Sequence, residues 1–420
     1  MSAPSVRTPP GASPFTLVAA RVVTCDESRA TAGNALGALE PGAVTIADGK
    51  IAWIGPPEAR DPNVPVTDVG GAVVTPGLID AHTHLAWAGS RHGEYAVRMA
   101  GGDYEAIAKA GGGIVSTFRA VADTSPEALV ELLRARLLRA AQLGVTTCEV
   151  KSGYGLLPEH ELKQLRAIAA CTNRPELPAV VPTFLALHAL PPEARADRGG
   201  YVRRVVEELL PRVREENLAA FVDAYLDASA FQIDEGRALG EKARALGFHL
   251  RLHVGQFADI GGAELAAELG AHSVDHLEQV SGAGIAALAR AGTHAVLLPI
   301  ASFTLKQAPP PVAKLRAAGV PLVVASDANP GTAPTESLPL ALALGVRNYD
   351  LTPEEAILGA TRWAARSLDL PQRGALRRGA QADLVVWDLP HEHAIVQPWG
   401  TPRTRLVLRD GAPIFGRLSL

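Results

Sequence analysis

Short β-branched runs recur along this chain at 77–84, 145–151, 179–186, 219–226, 247–254, 271–276, 294–300 and 320–326. Each is followed by a helix-like stretch or by a loop and a helix. Ser125-Pro126-Glu127 has the signature of a helix start: a cap, a proline at the first position and an early acid. Pro158-Glu159 opens a second helix, and Thr352-Pro353-Glu354-Glu355 repeats the signature near the end. Strands that alternate with helices build a parallel sheet. Eight of them predict a closed (β/α)8 barrel of the TIM type, an α/β fold whose reactive residues cluster at the C-terminal ends of the strands. Chemistry should therefore recur at strand ends.

The flanks have another texture. Leu17 to Val23, Ala43 to Ala47 and Ile51 to Ile54 are β-prone, with Asp48-Gly49 a hairpin-type turn. Ala382 to Trp387, Arg405 to Leu408 and Pro413 to Phe415 repeat this at the other end, around Asp410-Gly411. Neither half has enough apolar area to stand alone, so both ends are expected to pair into one small β-sandwich. The expected organisation is a Pro/Ser/Ala-rich disordered leader over 1–15, a composite β-domain over 16–75 plus 376–420, and the barrel over 76–375.

Hydrophobic residues make up 47% of the 420 and charged residues 20%, as in an ordinary globular enzyme. A net charge of −4 leaves no electrostatic footprint for nucleic acid. Runs such as Ala295 to Leu298 are far too short to span a bilayer. Cys25, Cys148 and Cys171 are odd in number and widely spaced, which fits reduced thiols in a cytoplasm.

The strand-end filter selects a small set. His82 and His84 close the first run, and residues two apart on an extended strand point to one side. His253 follows the fifth, His276 ends the sixth and Asp327 ends the eighth. A histidine is usually a satisfied core or surface residue, but recurrence on one rim reverses that reading. His82, His84, His253 and Asp327 are read as ligands of one metal ion that lowers the pKa of a bound water, making hydroxide the nucleophile. The second oxygen of Asp327 can take the water's proton. His276 stands behind the ligands, orienting the hydroxide or taking its charge. A two-metal site would want a bridging lysine after the fourth strand, and residues 224–230 contain none.

This ligand set, in a barrel flanked by a β-domain from both termini, resembles the amidohydrolase superfamily. Local motifs narrow the match: Gly89-Ser90-Arg91, Ala110 to Ile114, Glu149 to Leu156, Phe184 to Ala189, Ser273 to Glu278 and Ser326 to Gly331. Together they are similar to the imidazolonepropionase family, over about residues 16–415. That resemblance implies zinc- or iron-dependent hydrolysis of 4-imidazolone-5-propanoate to N-formimidoyl-L-glutamate in histidine degradation, by a homodimer. It places Arg91, Tyr154, His188, Gln256, Asn329, Gly331 and Thr332 around the substrate.

Physical reasons support several of these roles. Arg91 lies on the first strand-end loop, where a guanidinium can grip a propanoate bidentately. His188, ending the third strand, is expected to donate to the carbonyl oxygen as charge develops. The glycines around Tyr154 are expected to let its loop approach a ligand. Asn329 offers an amide to the ring, or merely forms a turn. Gly111-Gly112-Gly113 is read as the hinge of a flap carrying Tyr104, a further substrate contact. Some family members carry glutamate where this chain has Gln256; an amide cannot shuttle protons, so Gln256 is read as binding the ring.

Lys151, after the second strand, is read as pairing with a neighbouring acid. His92, His160, His249, His272, His294, His391 and His393 are read as structural. Two alternatives stay open: a deaminase of the cytosine or guanine type, which would need no carboxylate clamp, and a non-catalytic scaffold, which would need no ligands.

Overall fold

The computed structural model describes residues 13–101, 112–397 and 399–418. Eight parallel strands form one sheet in which each pairs with its sequence neighbour. They are Leu78–Asp80, Val145–Lys151, Ala179–Leu187, Phe221–Leu226, His249–Val254, Ser273–His276, His294–Leu297 and Leu322–Val324. A parallel bridge between Thr83 and Ala328 joins the first strand's extension to the last, closing the sheet into a barrel.

Local chemistry explains where elements begin and end. Ser125 caps the helix Pro126–Gln142 through the Ala128 amide, and Thr352 with Glu355 forms a full capping box on Pro353–Gly359. The helix Pro158–Thr172 has proline in its first turn but no side-chain cap. The seventh strand is shorter than the run that predicts it, because Pro299 opens the helix Pro299–Leu305. The first strand stops at Asp80, two residues before the histidine pair. Tertiary hydrogen bonds carry the extended course onward: the Lys151 amide donates to Thr83 O (2.9 Å), the Asp327 amide to His82 O (3.1 Å) and the His84 amide to Ala328 O (3.0 Å).

The termini build two further sheets. Gly42–Ala47 and Lys50–Gly55 form a hairpin beside Phe15–Ala19 and Val66–Asp68. In the second sheet, Leu384–Trp387 lies between Thr404–Arg409 and Val73–Pro76, so both chain ends are interleaved. The run expected as one strand over Leu17 to Val23 divides: Phe15–Ala19 serves the first sheet and Arg21–Val22 the second. A shared apolar core, including Leu17, Val44, Val74, Leu384 and Leu408, joins the two. Phe15 is buried and paired with Ile46, one residue inside the segment read as a leader; residues 1–12 of that segment lie outside the described residues. Among the described residues, no helix is long and apolar enough to cross a membrane.

Candidate active site

Parallel register sets the rim. Tyr225 stands opposite His253, and Val254 opposite His276. His82 and His84 enter from the seam, with ring centroids 5.2 Å apart; His253 lies 4.6 Å from His82 and 5.5 Å from His84. One ligating nitrogen from each of the three falls within 4.8 Å of the others. Asp327 Oδ1 faces them, 3.4 Å from His82 Nε2 and 3.5 Å from His84 Nε2. Asp327 has a positive φ of 55°, a rare conformation for a non-glycine residue that the seam hydrogen bonds hold.

Behind this cluster, carboxylates fix two of the imidazoles. Asp275 Oδ2 accepts from His82 Nδ1 at 2.7 Å, and Asp223 Oδ1 from His253 Nδ1 at 3.0 Å. Each pairing leaves Nε2 deprotonated and forward-facing; both Nε2 atoms are buried without a hydrogen-bond partner. Burial holds His82, His84 and His253 well below the usual imidazole pKa, and pushes Asp327 up to about 7. Neutral imidazoles facing a destabilised carboxylate lack only a cation, so these four residues fit a metal ion of the zinc or iron kind.

One level down lies the fully buried Lys151. Its Nζ is 2.8 Å from Asp223, 2.9 Å from Glu149 and 3.5 Å from Asp275. Burial alone would lower the ammonium's pKa, but these carboxylates outweigh it and raise it. Arg251, 3.6 Å from Asp275, is the second cation of this layer. The expected pairing of Lys151 with an acid is thus a network that touches the partners of both His82 and His253.

A cavity of about 840 Å³ opens above the rim. His84, His253, His276 and Asp327 share its walls with Arg91, Tyr154, His188, Gln256, Asn329 and Thr332. The Arg91 Nε donates to Glu94 at 2.8 Å, and a Cβ on Gly331 would come within 2.3 Å of Arg91 Nη1. Gly331 therefore keeps space for the guanidinium. Tyr154 is buried, with its ring centroid 5.3 Å from that of His188 and 5.9 Å from that of His84. The Tyr225 hydroxyl donates to Gln256 Oε1 at 2.9 Å, which leaves the amide nitrogen as the donor. Tyr104 and Gly111 lie outside the described residues.

Three expectations change. His188 Nδ1 is 2.8 Å from Gly153 O, which can only accept. Burial lowers its pKa to about 4, so the ring is neutral with Nδ1 protonated. Its free nitrogen is an acceptor, not the expected donor to a carbonyl oxygen. The Asn329 amide donates to Asp327 O and Thr332 Oγ1, while its oxygen accepts from the Gly331 and Thr332 amides. The turn-forming reading holds. Gly155 serves packing rather than ligand approach, because a Cβ there would meet the Glu161 backbone at 2.2 Å.

His276 sits beside the cluster on the cavity wall, with its ring centroid 6.1 Å from that of His82 and 5.5 Å from that of His253. Burial would lower its pKa, but Glu278, 3.7 Å from Nδ1, raises it. Sequence reasoning missed Arg98, whose Nη2 donates to Gly331 O at 3.0 Å. Both arginines reach the cavity wall, one immediately before and one within the helix His92–Met99. Their spacing of seven, which puts both on one helical face, was the available signal.

Fold, rim and buried imidazole cluster agree with the comparisons. The model of the amidohydrolase family matches residues 73–414, and the chain belongs to that family. The imidazolonepropionase of Paracoccus denitrificans is 45% identical over 376 residues, covering 89% of this chain and 93% of its own. That of Shewanella oneidensis is 44% identical over 381 residues, with the same coverage. Among solved structures, Escherichia coli guanine deaminase superposes with a TM-score of 0.73 at 16% identity, covering 97% of this chain and 100% of its own. Atrazine chlorohydrolase from Arthrobacter aurescens, complexed with zinc, gives 0.70 at 16%, covering 96% and 95%. At such identities these two show a shared fold.

Proposed function

We propose that this chain hydrolyses the cyclic amide of 4-imidazolone-5-propanoate to N-formimidoyl-L-glutamate, in histidine degradation. The observation that carries this reading is one cavity wall that joins the forward-facing imidazoles to the guanidinium of Arg91. A neutral purine or pyrimidine ring would offer no carboxylate to the part of that guanidinium not spent on Glu94. Relatives named imidazolonepropionase, at 44–45% identity over most of both chains, support it independently.

His82, His84, His253 and Asp327 would hold one zinc or iron ion per chain. When bound, that ion supplies Lewis acidity, lowering the pKa of a coordinated water toward neutrality. The chain's own groups do the rest. Arg91 grips the propanoate through the part of its fork not spent on Glu94. His188 accepts from a ring N–H, the Gln256 amide donates to the ring, and Tyr154 walls it in. The free oxygen of Asp327 takes the proton of the attacking water and returns it to the ring nitrogen as the C–N bond breaks. His276, the one rim imidazole whose pKa is raised, donates toward the oxygen on which negative charge develops. Thr332 and Asn329 shape the loop beneath. The proposed compartment is the cytoplasm, supported by three buried cysteines without disulfides.

The test is an assay with freshly generated imidazolonepropanoate, following its ultraviolet loss and the appearance of formimidoylglutamate. Turnover should vanish on metal removal and return with stoichiometric zinc or iron. Full activity in a verified metal-free preparation would sink the mechanism, and no turnover of this substrate by metal-loaded protein would sink the assignment.

A further inference from the structure

The barrel has a second mouth, at the N-terminal ends of its strands, and histidines gather there too. His249 opens the fifth strand and His272 immediately precedes the sixth. Asp369 follows the helix Arg362–Ser367. The His249 and His272 ring centroids are 4.5 Å apart, and His249 Nε2 is 3.9 Å from Asp369 Oδ2. One ligating atom from each of the three lies within 4.8 Å of the others. Three separate segments thus deliver two imidazoles and a carboxylate to one point, at the opposite end of the strand that carries His253.

The chemistry of the cluster suits a cation. The His272 amide is anchored to Leu250 O at 2.8 Å, which fixes its backbone against the fifth strand. Burial lowers the His272 ring's pKa to about 4, so it is neutral, and its Nδ1 is buried without a hydrogen-bond partner. The rings of His249 and His272 rest against Phe221, with centroids 5.2 and 5.5 Å from it. His294, opening the seventh strand, is adjacent, but its Nδ1 is taken by His272 O at 3.0 Å. Arg251, the neighbouring cation, gives Nη2 to Ala81 O and Nη1 to Ser367 O, and lies 3.6 Å from Asp275. Its charge is therefore largely answered within the barrel. The side chains of His249 and Asp369 are 42% and 62% exposed, which leaves an open side for an ion to arrive and keep water ligands.

We propose that His249, His272 and Asp369 form a second, exchangeable site for a borderline divalent cation of the zinc, cobalt or nickel type. Imidazole and carboxylate ligands select this class over magnesium or calcium, which favour all-oxygen sites. An ion there ties the starts of the fifth and sixth strands to the segment after the helix Arg362–Ser367, bracing the mouth away from the chemistry.

Equilibrium dialysis of the full chain against cobalt, read by metal analysis and by visible absorption, tests this. Wild type should hold one equivalent per chain more than the His249→Gln/Asp369→Asn double variant, with turnover unchanged between them. The single variants His249→Gln and Asp369→Asn, both at exposed side chains, should each weaken that equivalent at least tenfold. His391→Ala/His393→Ala, which removes the other exposed histidine pair, should leave it in place. Equal cobalt content in wild type and the double variant would overturn the proposal. So would loss of the extra equivalent in the His391/His393 variant alone. Because the readout is a difference between proteins with intact rims, it stands whether or not the substrate assignment above survives.

Discussion

Lys151→Met is the perturbation with the most to say about how this site is held. The substitution keeps an unbranched side chain of similar length and deletes one charge. Three buried carboxylates lie within 3.5 Å of the ammonium, and Arg251, 3.6 Å from Asp275, is the remaining cation of that layer. Removing one partner of a buried ion pair costs about 3–5 kcal/mol. Part of that is recovered as Asp223 and Glu149, whose pKa values burial already raises, take up protons. A protonated Asp223 is a weaker acceptor for His253 Nδ1, because charge-assisted hydrogen bonds are roughly twice as strong as neutral ones. Metal affinity should therefore fall about 10–100-fold, the usual effect of disturbing a ligand's supporting partner.

Urea unfolding measures the first quantity, and chelator competition measures the second. Lys151→Met/Asp223→Asn removes a cation and an anion together, so it should be more stable than Lys151→Met while still binding metal weakly. Wild-type stability and metal affinity in Lys151→Met would refute the reasoning. A double variant less stable than the single would also do so, because the loss would then be one of packing rather than of charge balance.

Arg91→Ala should lower kcat/KM by about 30-fold to a few thousand-fold, the cost of about 2–5 kcal/mol for one lost partner of a buried charge pair. Arg91→Lys should recover only part, and the penalty should not add to that of a substrate amide lacking the carboxylate; additive losses would remove Arg91 from the carboxylate site. Gly331→Ala should push against Arg91 Nη1 and cost roughly tenfold in kcat/KM, mostly through KM. In an Arg91→Ala background it should be silent, and an equal cost there would show that the loop rather than the guanidinium is disturbed. Asp327→Asn should lower kcat by several orders of magnitude with a smaller effect on substrate binding, measured at saturating metal, since it weakens a ligand and deletes the proton carrier together. Near-normal turnover would assign the proton to another group.

The barrel was legible because parallel strands buried on both faces must be β-branched runs and must alternate with helices. The rim was legible because that topology restricts chemistry to strand ends, so His82, His84, His253, His276 and Asp327 selected themselves. What stayed hidden was set by contacts distant in sequence. Glu149 shares a strand with Lys151, but Asp223 and Asp275 come from the fourth and sixth, and no local pattern announces that they converge. Strand starts carry no expectation of chemistry, so nothing in the sequence announces that His249, His272 and Asp369 gather at one point. The donor role given to His188 failed on one backbone carbonyl, Gly153 O, which fixes the tautomer. Asn329 before a proline had two readings from sequence, and the amides of Gly331 and Thr332 chose the turn.

The seam through which the barrel closes also has a consequence for how the site comes into being. Asp80 accepts hydrogen bonds from the Ser326 amide and hydroxyl across a separation of 246 residues. The histidine pair lies just past the first of these residues, and Asp327 just past the second. During synthesis, these two imidazoles therefore emerge long before the Asp327 carboxylate that they face, and pairing across so large a sequence separation is slow. A chain that stops short of the eighth strand has imidazoles but no seam to hold them. The proposed ion would then be captured only as the seam closes, and once held it would make reopening of the barrel at its joint harder.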